Sequence, residues 1–352
     1  MRIAFVSFET VHHRESETNE RLQTVVELLR DAGHEVHVLC ARWWDGDASA
    51  FARDGITYHG LSPDRESRRS FYVRLPVALR SVNPDVVHAG AEPPSQVGWA
   101  GRAAALARAP LLVEWYGDDG PDDRRARRAA RRPDRIVTPS RLVRTWVREL
   151  GADGDHVEVI PNPIDVDRIQ SVDPADAVDV VYARRLDEGA NLESLLLGLA
   201  ELRRRDWSAV VLGDGPEREA YEGLARDLRI DDRVTFAGHV SLEERIATYR
   251  GAHVFAQTAS HCVFPTELLW ALACGCVGVV EYHVDSSAHE LVERLDRGFR
   301  VTSEAELVNA IRSAGTLERR DYDETFDSFD RSAVCERYLE SYRDLRDSYG
   351  LF

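Results

Sequence analysis

An apolar segment at residues 260–280 carries the pattern most directly tied to chemistry. Pro265 opens an apolar run that Gly275 ends, and a second apolar run follows, which predicts a helix and then a buried strand. The first N–H groups of a helix have no partner within it and can bind phosphate oxygens. We therefore expect phosphate contacts from the residues at its start: Phe264, Pro265, Thr266 and Glu267.

Two arginines, Arg184 and Arg185, follow a predicted strand and precede a predicted helix. A planar guanidinium binds two oxygens of a diphosphate at once, so we predict that Arg185 holds a diphosphate and that Arg184 assists if it turns inward. The alternative is that both are solvated surface residues. Gly213 and Gly215 form a tight turn after another apolar run, a pattern that is weak evidence alone because any tight turn favours glycine.

These residues need a scaffold, and the chain supplies alternating β-branched runs and amphipathic helices, the pattern of parallel α/β sheets. The series occurs twice, which predicts two doubly wound, Rossmann-like domains facing a cleft. We place the first at residues 1–168, the second at 169–328, and a final segment, 329–352, whose helix is expected to pack back on the first domain.

The sequence of residues 260–280 resembles the signature segment of GT-B glycosyltransferases of the large retaining family, of the family 4 and group 1 type. Cys262-Val263-Phe264-Pro265 and Trp270 to Gly275 fill the places of its Glu-Gly-Phe-Pro and Glu-Ala-Met-Ala-Cys-Gly phrases. Gly213-Asp214-Gly215-Pro216 matches its Gly-x-Gly-Pro turn. Both family glutamates are replaced, by Cys262 and Trp270, and Gly189-Ala190 stands where a lysine is usual.

The resemblance implies roles for further residues. His239 lies in the loop expected to meet the nucleotide base, with an exposed loop histidine as the alternative, and Tyr116 takes the place of a histidine facing the cleft. Glu267 shares a helix face with Trp270 and offers a carboxylate for the ribose, or is a helix-start carboxylate favoured by the helix dipole. With Arg185, Tyr116 and Glu267 form the predicted catalytic set. His12, His13 and Arg14 are predicted to contact phosphate or acceptor, although paired loop histidines are commonly just exposed.

The formal net charge is -16 and all 45 basic residues are arginine, which disfavours nucleic acid as a partner. The composition resembles that of halophilic archaea, and a GC-rich genome would have the same effect. Residues 65–80 mix arginines with Phe71, Tyr72, Leu75 and Leu79, which suits an anionic membrane surface, with balance of nearby aspartates as the alternative. A second basic block comprises Arg124, Arg125, Arg127, Arg128, Arg131 and Arg132.

These observations predict a cytoplasmic enzyme, peripheral on the inner face of the membrane, that moves a sugar from a nucleotide diphosphate to a lipid-linked or glycan acceptor. Asp45-Gly46-Asp47 and Asp118-Asp119 resemble metal-binding pairs, but such pairs arise by chance in an acidic chain, so we expect no metal or other cofactor. The lost glutamates favour one alternative, a non-catalytic binding subunit of the same fold. A nucleotide-sugar epimerase is another.

Overall fold

The computed structural model describes residues 1–46, 48–64, 66–117 and 124–349. It divides into two compact units, one formed by Met1–Asn162 with Arg331–Phe352 and the other by Pro163–Asp330. Both contain a parallel sheet flanked by helices, as the sequence predicts. Within the described ranges, no helix is long and apolar enough to cross a membrane.

The second unit begins earlier than the predicted boundary after residue 168. The backbone N–H of Ile164 donates to the Phe329 carbonyl at 2.9 Å, and that of Val166 donates to the Asp330 carboxylate at 3.1 Å. These bonds tie the residues after Pro163 to the closing segment of the same unit. Residue 168 therefore lies inside a helix of the second unit, and residues 329 and 330 belong to that unit as well.

The first unit contains an eight-stranded sheet in the order β3-β4-β2-β1-β5-β6-β7-β8, parallel except for the β3–β4 pair. Its strands are β1 Arg2–Val6, β2 Glu35–Ala41, β3 Ala50–Arg53, β4 Ile56–Ser62, β5 Val86–Gly90, β6 Leu111–Glu114, β7 Arg135–Thr138 and β8 Val157–Val159. Its helices before the second unit are α1 Glu17–Asp31, α2 Arg68–Val82, α3 Pro94–Ala107, α4 Arg124–Ala130 and α5 Arg141–Glu149.

The second unit contains a six-stranded parallel sheet in the order β11-β10-β9-β12-β14-β16, and a small pair, β13-β15. The strands are β9 Val178–Ala183, β10 Ala209–Leu212, β11 Val234–Gly238, β12 Ala252–Gln257, β13 His261–Cys262, β14 Val277–Glu281, β15 Asp285–Ser286 and β16 Gly298–Val301. The helices are α6 Val166–Ser171, α7 Leu192–Glu201, α8 Arg218–Asp227, α9 Leu242–Gly251, α10 Thr266–Ala273, α11 His289–Val292 and α12 Glu304–Ala314.

The last helix, α13 Arg331–Ser348, completes the first unit. Val334, Tyr338 and Tyr342 are each at most 1% exposed and pack in the same core as α1 and the central strands. Their three- and four-residue spacing places them on one helix face, as the sequence predicts. The expected return of the C-terminal helix to the first unit is confirmed.

Helix α3 packs against both α2 and α4 in the first unit. The four apolar residues of α2 that the sequence assigned to a membrane surface are instead at most 8% exposed, and that assignment is wrong. They lie on the face of α2 that packs toward the strands and α3, because burial of aromatic and leucine side chains stabilises the core. The exposed apolar residues of this surface are others: Val73, Val77, Trp99 and Leu106.

A buried ion pair connects α1 to the sheet and to α13. Arg21 Nε donates to the Glu114 carboxylate at 2.8 Å, and both side chains are at most 2% exposed. Arg21 Nη2 also donates to the Ile160 carbonyl and to the Tyr338 hydroxyl, and that hydroxyl donates to Glu114 at 2.9 Å. Each charge is thus neutralised by partners from elements that are distant in sequence.

Glu114→Gln tests this network. Burial opposes ionisation of Glu114, but Arg21 and His88 outweigh it, so the pKa of this carboxyl lies below its usual value of 4.5. The pair therefore stabilises the fold above about pH 4.5, and its contribution is lost as the pH falls through the lower folded-state pKa. We expect the variant to lose roughly 3–5 kcal/mol at pH 7, because it leaves Arg21 uncompensated.

Urea unfolding between pH 7 and pH 3 measures both effects. The exposed Glu149→Gln is the control and should follow the wild type at every pH. If the free energies of unfolding of the wild type and of Glu114→Gln fall in parallel on acidification, the assignment of an ionised Glu114–Arg21 pair is contradicted.

Candidate functional site

The strand order of the second unit defines one edge as the place for a ligand. The chain runs from β9 to β10 and β11 on one side, then crosses to β12 and continues on the other. In doubly wound sheets, ligands bind beyond the carboxyl ends of the strands at this reversal. The loops that follow β9 and β12, and the loop after β10 beside them, therefore form the candidate site.

The Gly-x-Gly loop after β10 lies directly on the loop after β9. A Cβ on Gly213 would stand 2.0 Å from the carbonyl oxygen of Arg184, and a Cβ on Gly215 would stand 2.1 Å from that of Leu186. Gly213 also has a φ of +116°, which side-chain-bearing residues rarely adopt. The glycines are required here for close backbone contact, which the Leu186 N–H reinforces by donating to the Asp214 carbonyl at 3.0 Å.

The two arginines after β9 have different surroundings. Arg184 turns inward, and its Nη1 donates to the His261 carbonyl at 2.8 Å, immediately before the signature residues. Arg185 has a side chain that is 74% exposed, with Asp187 at 3.9 Å. Arg184 thus fixes the loop to β13, whereas the Arg185 guanidinium is accessible to an anionic ligand.

The signature helix α10 begins where the sequence predicts, at Thr266. Its N-cap residue, Pro265, makes no side-chain capping bond, and Phe264 is 7% exposed. Glu267 accepts hydrogen bonds from the Tyr249 hydroxyl and from Arg245 Nη1, each at 2.5 Å. Both of its carboxylate oxygens are engaged within the unit, so the structure gives Glu267 a role in anchoring α10 to α9 rather than an open position for a ribose.

The residues that replace the family glutamates are buried. Cys262 is 8% exposed and Trp270 is 9% exposed, so both are largely enclosed in the unit. A carboxylate that was not predicted lies at the same sheet edge: Glu281 ends β14 and accepts a hydrogen bond from Asn191 Nδ2 at 3.2 Å. Its signal in the sequence is a single charge closing an apolar run. His239 directly follows β11 and is exposed.

In the first unit, Tyr116 does not lie open to a ligand. It is 3% exposed, its hydroxyl accepts a hydrogen bond from Asn162 Nδ2 at 3.4 Å, and its ring lies 5.7 Å from the Arg21 guanidinium. The structure therefore corrects the predicted position: Tyr116 extends the buried Arg21 network because it lies just beyond the end of β6, two residues after Glu114.

The three residues predicted at the first loop separate in the structure. His12 stacks on Trp43 with ring centroids 3.9 Å apart, and His13 Nδ1 lies 3.1 Å from both the N–H and the hydroxyl of Thr10. Arg14 instead lines a pocket of about 260 Å³, together with residues that the sequence analysis did not single out. Of the three, Arg14 alone is placed for ligand contact at this pocket.

Within the described ranges, no three His, Cys, Asp or Glu side chains converge as metal ligands. Asp47, Asp118 and Asp119 lie outside the described residues. Independence from metal remains a prediction.

Comparisons with known proteins agree with this architecture. The family described as Glycosyltransferase Family 4 matches residues 19–168, and the family described as Glycosyl transferases group 1 matches residues 164–327. The two matches meet where the first unit ends and the second begins. The chain belongs to these glycosyltransferases: one family matches its first half and the other matches its second half.

Individual relatives are more distant. A GDP-mannose-dependent alpha-(1-6)-phosphatidylinositol monomannoside mannosyltransferase from Mycobacterium tuberculosis is 33% identical over 114 residues, which is 28% of this chain and 29% of that protein. A glycosyltransferase structure from Rickettsia africae has a TM-score of 0.79 at 14% identity and covers 99% of each chain. Anabaena HepE, solved with UDP and glucose, has a TM-score of 0.70 at 16% identity and covers 98% of this chain and 100% of its own. Both structures share the GT-B fold with this protein.

Gly215→Ala tests the loop contact. The added methyl group would collide with the Leu186 carbonyl, so we expect a loss of about 1–3 kcal/mol in the free energy of unfolding. Gly223→Ala is the control. Gly223 lies inside α8, and a Cβ at this position would be 3.9 Å from its nearest neighbouring atom. That change should stabilise the fold by about 0.5–1 kcal/mol. Urea denaturation measures both, and equal effects of the two changes would refute the close contact.

Proposed function

We propose that this protein transfers a sugar from a nucleotide diphosphate donor to an acceptor hydroxyl. The observation that carries the proposal is the exposed Arg185 guanidinium, which stands on a loop fixed by the glycine contacts and by the Arg184 bond to His261. A cation held on a rigid loop at the reversal point of the sheet is suited to a diphosphate. Family membership supplies the reaction class.

The proposed chemistry is electrostatic. Departure of a nucleoside diphosphate places negative charge on its phosphate oxygens, and preorganised donors aimed at developing charge lower the barrier. Arg185 and the first N–H groups of α10 are the donors that we assign to this task, and Gly213, Gly215 and His239 line the neighbouring loops. We propose that the reaction needs no metal and, following the family resemblance, retains the anomeric configuration.

The names of two relatives give two alternative nucleotide sugars for the donor. The mycobacterial relative is named for GDP-mannose, and the Anabaena structure holds UDP and glucose. GDP-mannose and UDP-glucose are therefore the first donors to test, each with its free nucleoside diphosphate.

A binding subunit without turnover is the second candidate function. It is favoured by the enclosed Cys262 and Trp270 at the glutamate positions and by the engagement of Glu267 with Tyr249 and Arg245. Saturable donor binding without transfer or hydrolysis, in the presence of a membrane extract, would support this candidate over the enzyme.

We also propose that the first unit meets the acceptor at an anionic membrane, on the cytoplasmic side. In α4 the arginines are exposed while Ala126, Ala129 and Ala130 are buried, so the basic face points outward. Helix α3 contacts both α4 and α2, and on α2 the residues Val73 and Val77 are 72% and 73% exposed. Arginines that bracket exposed apolar residues suit the headgroup layer of an anionic bilayer.

Arg185→Ala should weaken the binding of a nucleoside diphosphate by about 1.5–3 kcal/mol, because it removes a charged hydrogen-bond donor. Calorimetric titration with GDP and UDP measures the dissociation constants. Arg226→Ala, an exposed change on α8 of the same unit, should leave them unaltered. An Arg185→Ala constant equal to that of the wild type would reject the assigned role.

Replacement of Arg124, Arg125 and Arg128 with glutamine should reduce flotation with vesicles that contain phosphatidylglycerol, since each basic residue near the surface contributes roughly 1 kcal/mol. The same change at Arg203, Arg204 and Arg205, which are exposed on the second unit, is the matched control. Binding should also fall as salt screens the charges. Equal flotation of the two triple variants would exclude this surface.

A further inference from the structure

Two histidines of the first unit lie close together at a place that the proposed reaction does not use. His37 is near the start of β2, and His59 is on the neighbouring strand β4. Their strand neighbours Val38 and Tyr58 point into the core that contains α1 and α13, so alternation places both histidines on the opposite face of the sheet. This position is also away from the carboxyl ends of the strands, where doubly wound sheets bind their ligands.

The two imidazole rings contact each other and a carboxylate. His37 Nδ1 lies 3.0 Å from His59 Nε2, and His37 Nε2 lies 3.0 Å from Glu35 Oε1. Arg2 Nε holds the other oxygen of Glu35 at 2.9 Å. The side chain of His37 is 13% exposed and that of Glu35 is 53% exposed, so the group is partly enclosed but can be reached from solvent.

These contacts determine which ring nitrogens carry hydrogen. Hydrogen bonds from His37 and Arg2 hold the pKa of the Glu35 carboxyl below its usual value, so this group is ionised and only accepts hydrogen bonds. His37 therefore donates from Nε2, which leaves a lone pair on Nδ1 of the neutral ring, and His59 Nε2 donates to that lone pair. Burial and the neighbouring His37 lower the pKa of His59, which favours its neutral ring. One hydrogen is thus shared by two nitrogens that can both bind a metal ion.

The separation of these two nitrogens matches that in a metal chelate. Zinc binds imidazole nitrogen at about 2.0–2.1 Å, so two nitrogens on one ion stand about 2.8–3.4 Å apart for angles between a right angle and the tetrahedral value. The observed separation of 3.0 Å lies within this range. An ion that replaces the shared hydrogen therefore requires a tilt of the rings and no change in the distance between the strands.

Glu35 supplies a second feature of histidine metal sites. Metal-binding histidines commonly donate their other ring N–H to a carboxylate, which fixes the ring and makes it a more basic ligand. Glu35 makes this contact with His37, and Arg2 fixes Glu35 in turn. Imidazole nitrogen favours Zn²⁺ and Cu²⁺, whereas Mg²⁺ and Ca²⁺ favour oxygen ligands. Among the residues that the structure describes, no third His, Cys, Asp or Glu completes the set, which leaves the other coordination positions to water.

We propose that His37 and His59 chelate a divalent transition-metal ion of the Zn²⁺ or Cu²⁺ class, with Glu35 as the residue that orients His37. The ion replaces the hydrogen between the rings, and that hydrogen moves to Nδ1 of His59, so both imidazoles stay neutral. The chelate joins β2 to β4, and β4 in turn holds the edge strand β3. This site is separate from the proposed sugar transfer, which does not involve the ion.

The experiment uses the full chain, free of any affinity tag and stripped of metal, and titrates it with Zn²⁺, Cu²⁺ and Mg²⁺ by calorimetry at neutral pH. We expect saturable binding of Cu²⁺ and Zn²⁺, with Cu²⁺ the tighter, and none of Mg²⁺. His37→Gln and His59→Gln should each weaken binding at least about tenfold, because one imidazole alone cannot chelate the ion. His156→Gln, a change at an exposed histidine of the same unit, is the matched control and should bind as the wild type does.

Electron paramagnetic resonance of the Cu²⁺ complex identifies the ligands directly. We expect splitting from two imidazole nitrogens in the wild type and from one in His59→Gln. Glu35→Gln keeps an acceptor for His37 Nε2 but removes the charge, so it should weaken binding by about tenfold while the spectrum retains both nitrogens. That combination separates a residue that orients a ligand from a ligand itself, and unchanged affinity in Glu35→Gln would refute the orienting role.

Stability provides an independent measurement. Saturating Zn²⁺ should raise the midpoint of thermal unfolding of the wild type, because it binds the folded state, and should slow hydrogen exchange in β3 and β4. It should change neither quantity in His59→Gln. The proposal is overturned if neither Zn²⁺ nor Cu²⁺ binds saturably, or if both histidine variants bind as tightly as the wild type. Fewer than two imidazole nitrogens in the wild-type copper spectrum also overturn it, and this result holds even if a histidine variant does not fold.

Discussion

Two carbonyl oxygens, those of Arg184 and Leu186, occupy the space in which side chains at positions 213 and 215 would stand. This steric constraint determines the geometry of the donor edge, because it lets one loop rest on the backbone of the next. The hydrogen bond from Leu186 N–H to the Asp214 carbonyl then fixes their register. The exposure of Arg185 follows from this arrangement, since its neighbours on both sides are held by backbone contacts.

Arginine serves two purposes in this lysine-free chain. Several guanidinium groups close loops by donating to backbone carbonyls, as Arg184 does to His261, Arg297 does to Gly275 and Arg21 does to Ile160. A planar group with five donors can satisfy several acceptors at once, which an ammonium group does less well. The remaining exposed arginines concentrate positive charge locally on a protein whose net charge is -16, so the surfaces available to anions are confined to a few positions.

The sequence predicted the parts of the structure that depend on local pattern. Apolar patterning predicted a helix between Pro265 and Gly275 and a helix in the segment 329–352, and they occur at Thr266–Ala273 and Arg331–Ser348. The Gly-x-Gly turn is readable because glycine tolerates both the positive φ and the close approach. By contrast, β3 is largely exposed and lacks a clear alternation, and it was not predicted.

Contacts between residues that are far apart in sequence could not be predicted from these local patterns. Arg21 and Glu114 are 93 positions apart, and nothing near either one signals that both are buried. Glu267 reads as a helix-start carboxylate facing a ligand until the fold brings Tyr249 and Arg245 to it. The pocket that Arg14 and Glu92 line is formed by segments from four parts of the first unit, so its residues come close together only when the sheet has formed.

The position of α13 has a consequence for the order of assembly. The first unit takes Tyr338 and Tyr342 into its core, and these residues are synthesised after the whole of Pro163–Asp330. The later unit is continuous in sequence and has all its strands before the earlier unit has its last helix. On the ribosome, the usual order in which domains mature from the N-terminus is therefore reversed for these two units: the first is completed after the second, because Arg21 and Glu114 gain the Tyr338 hydroxyl only when α13 has been synthesised.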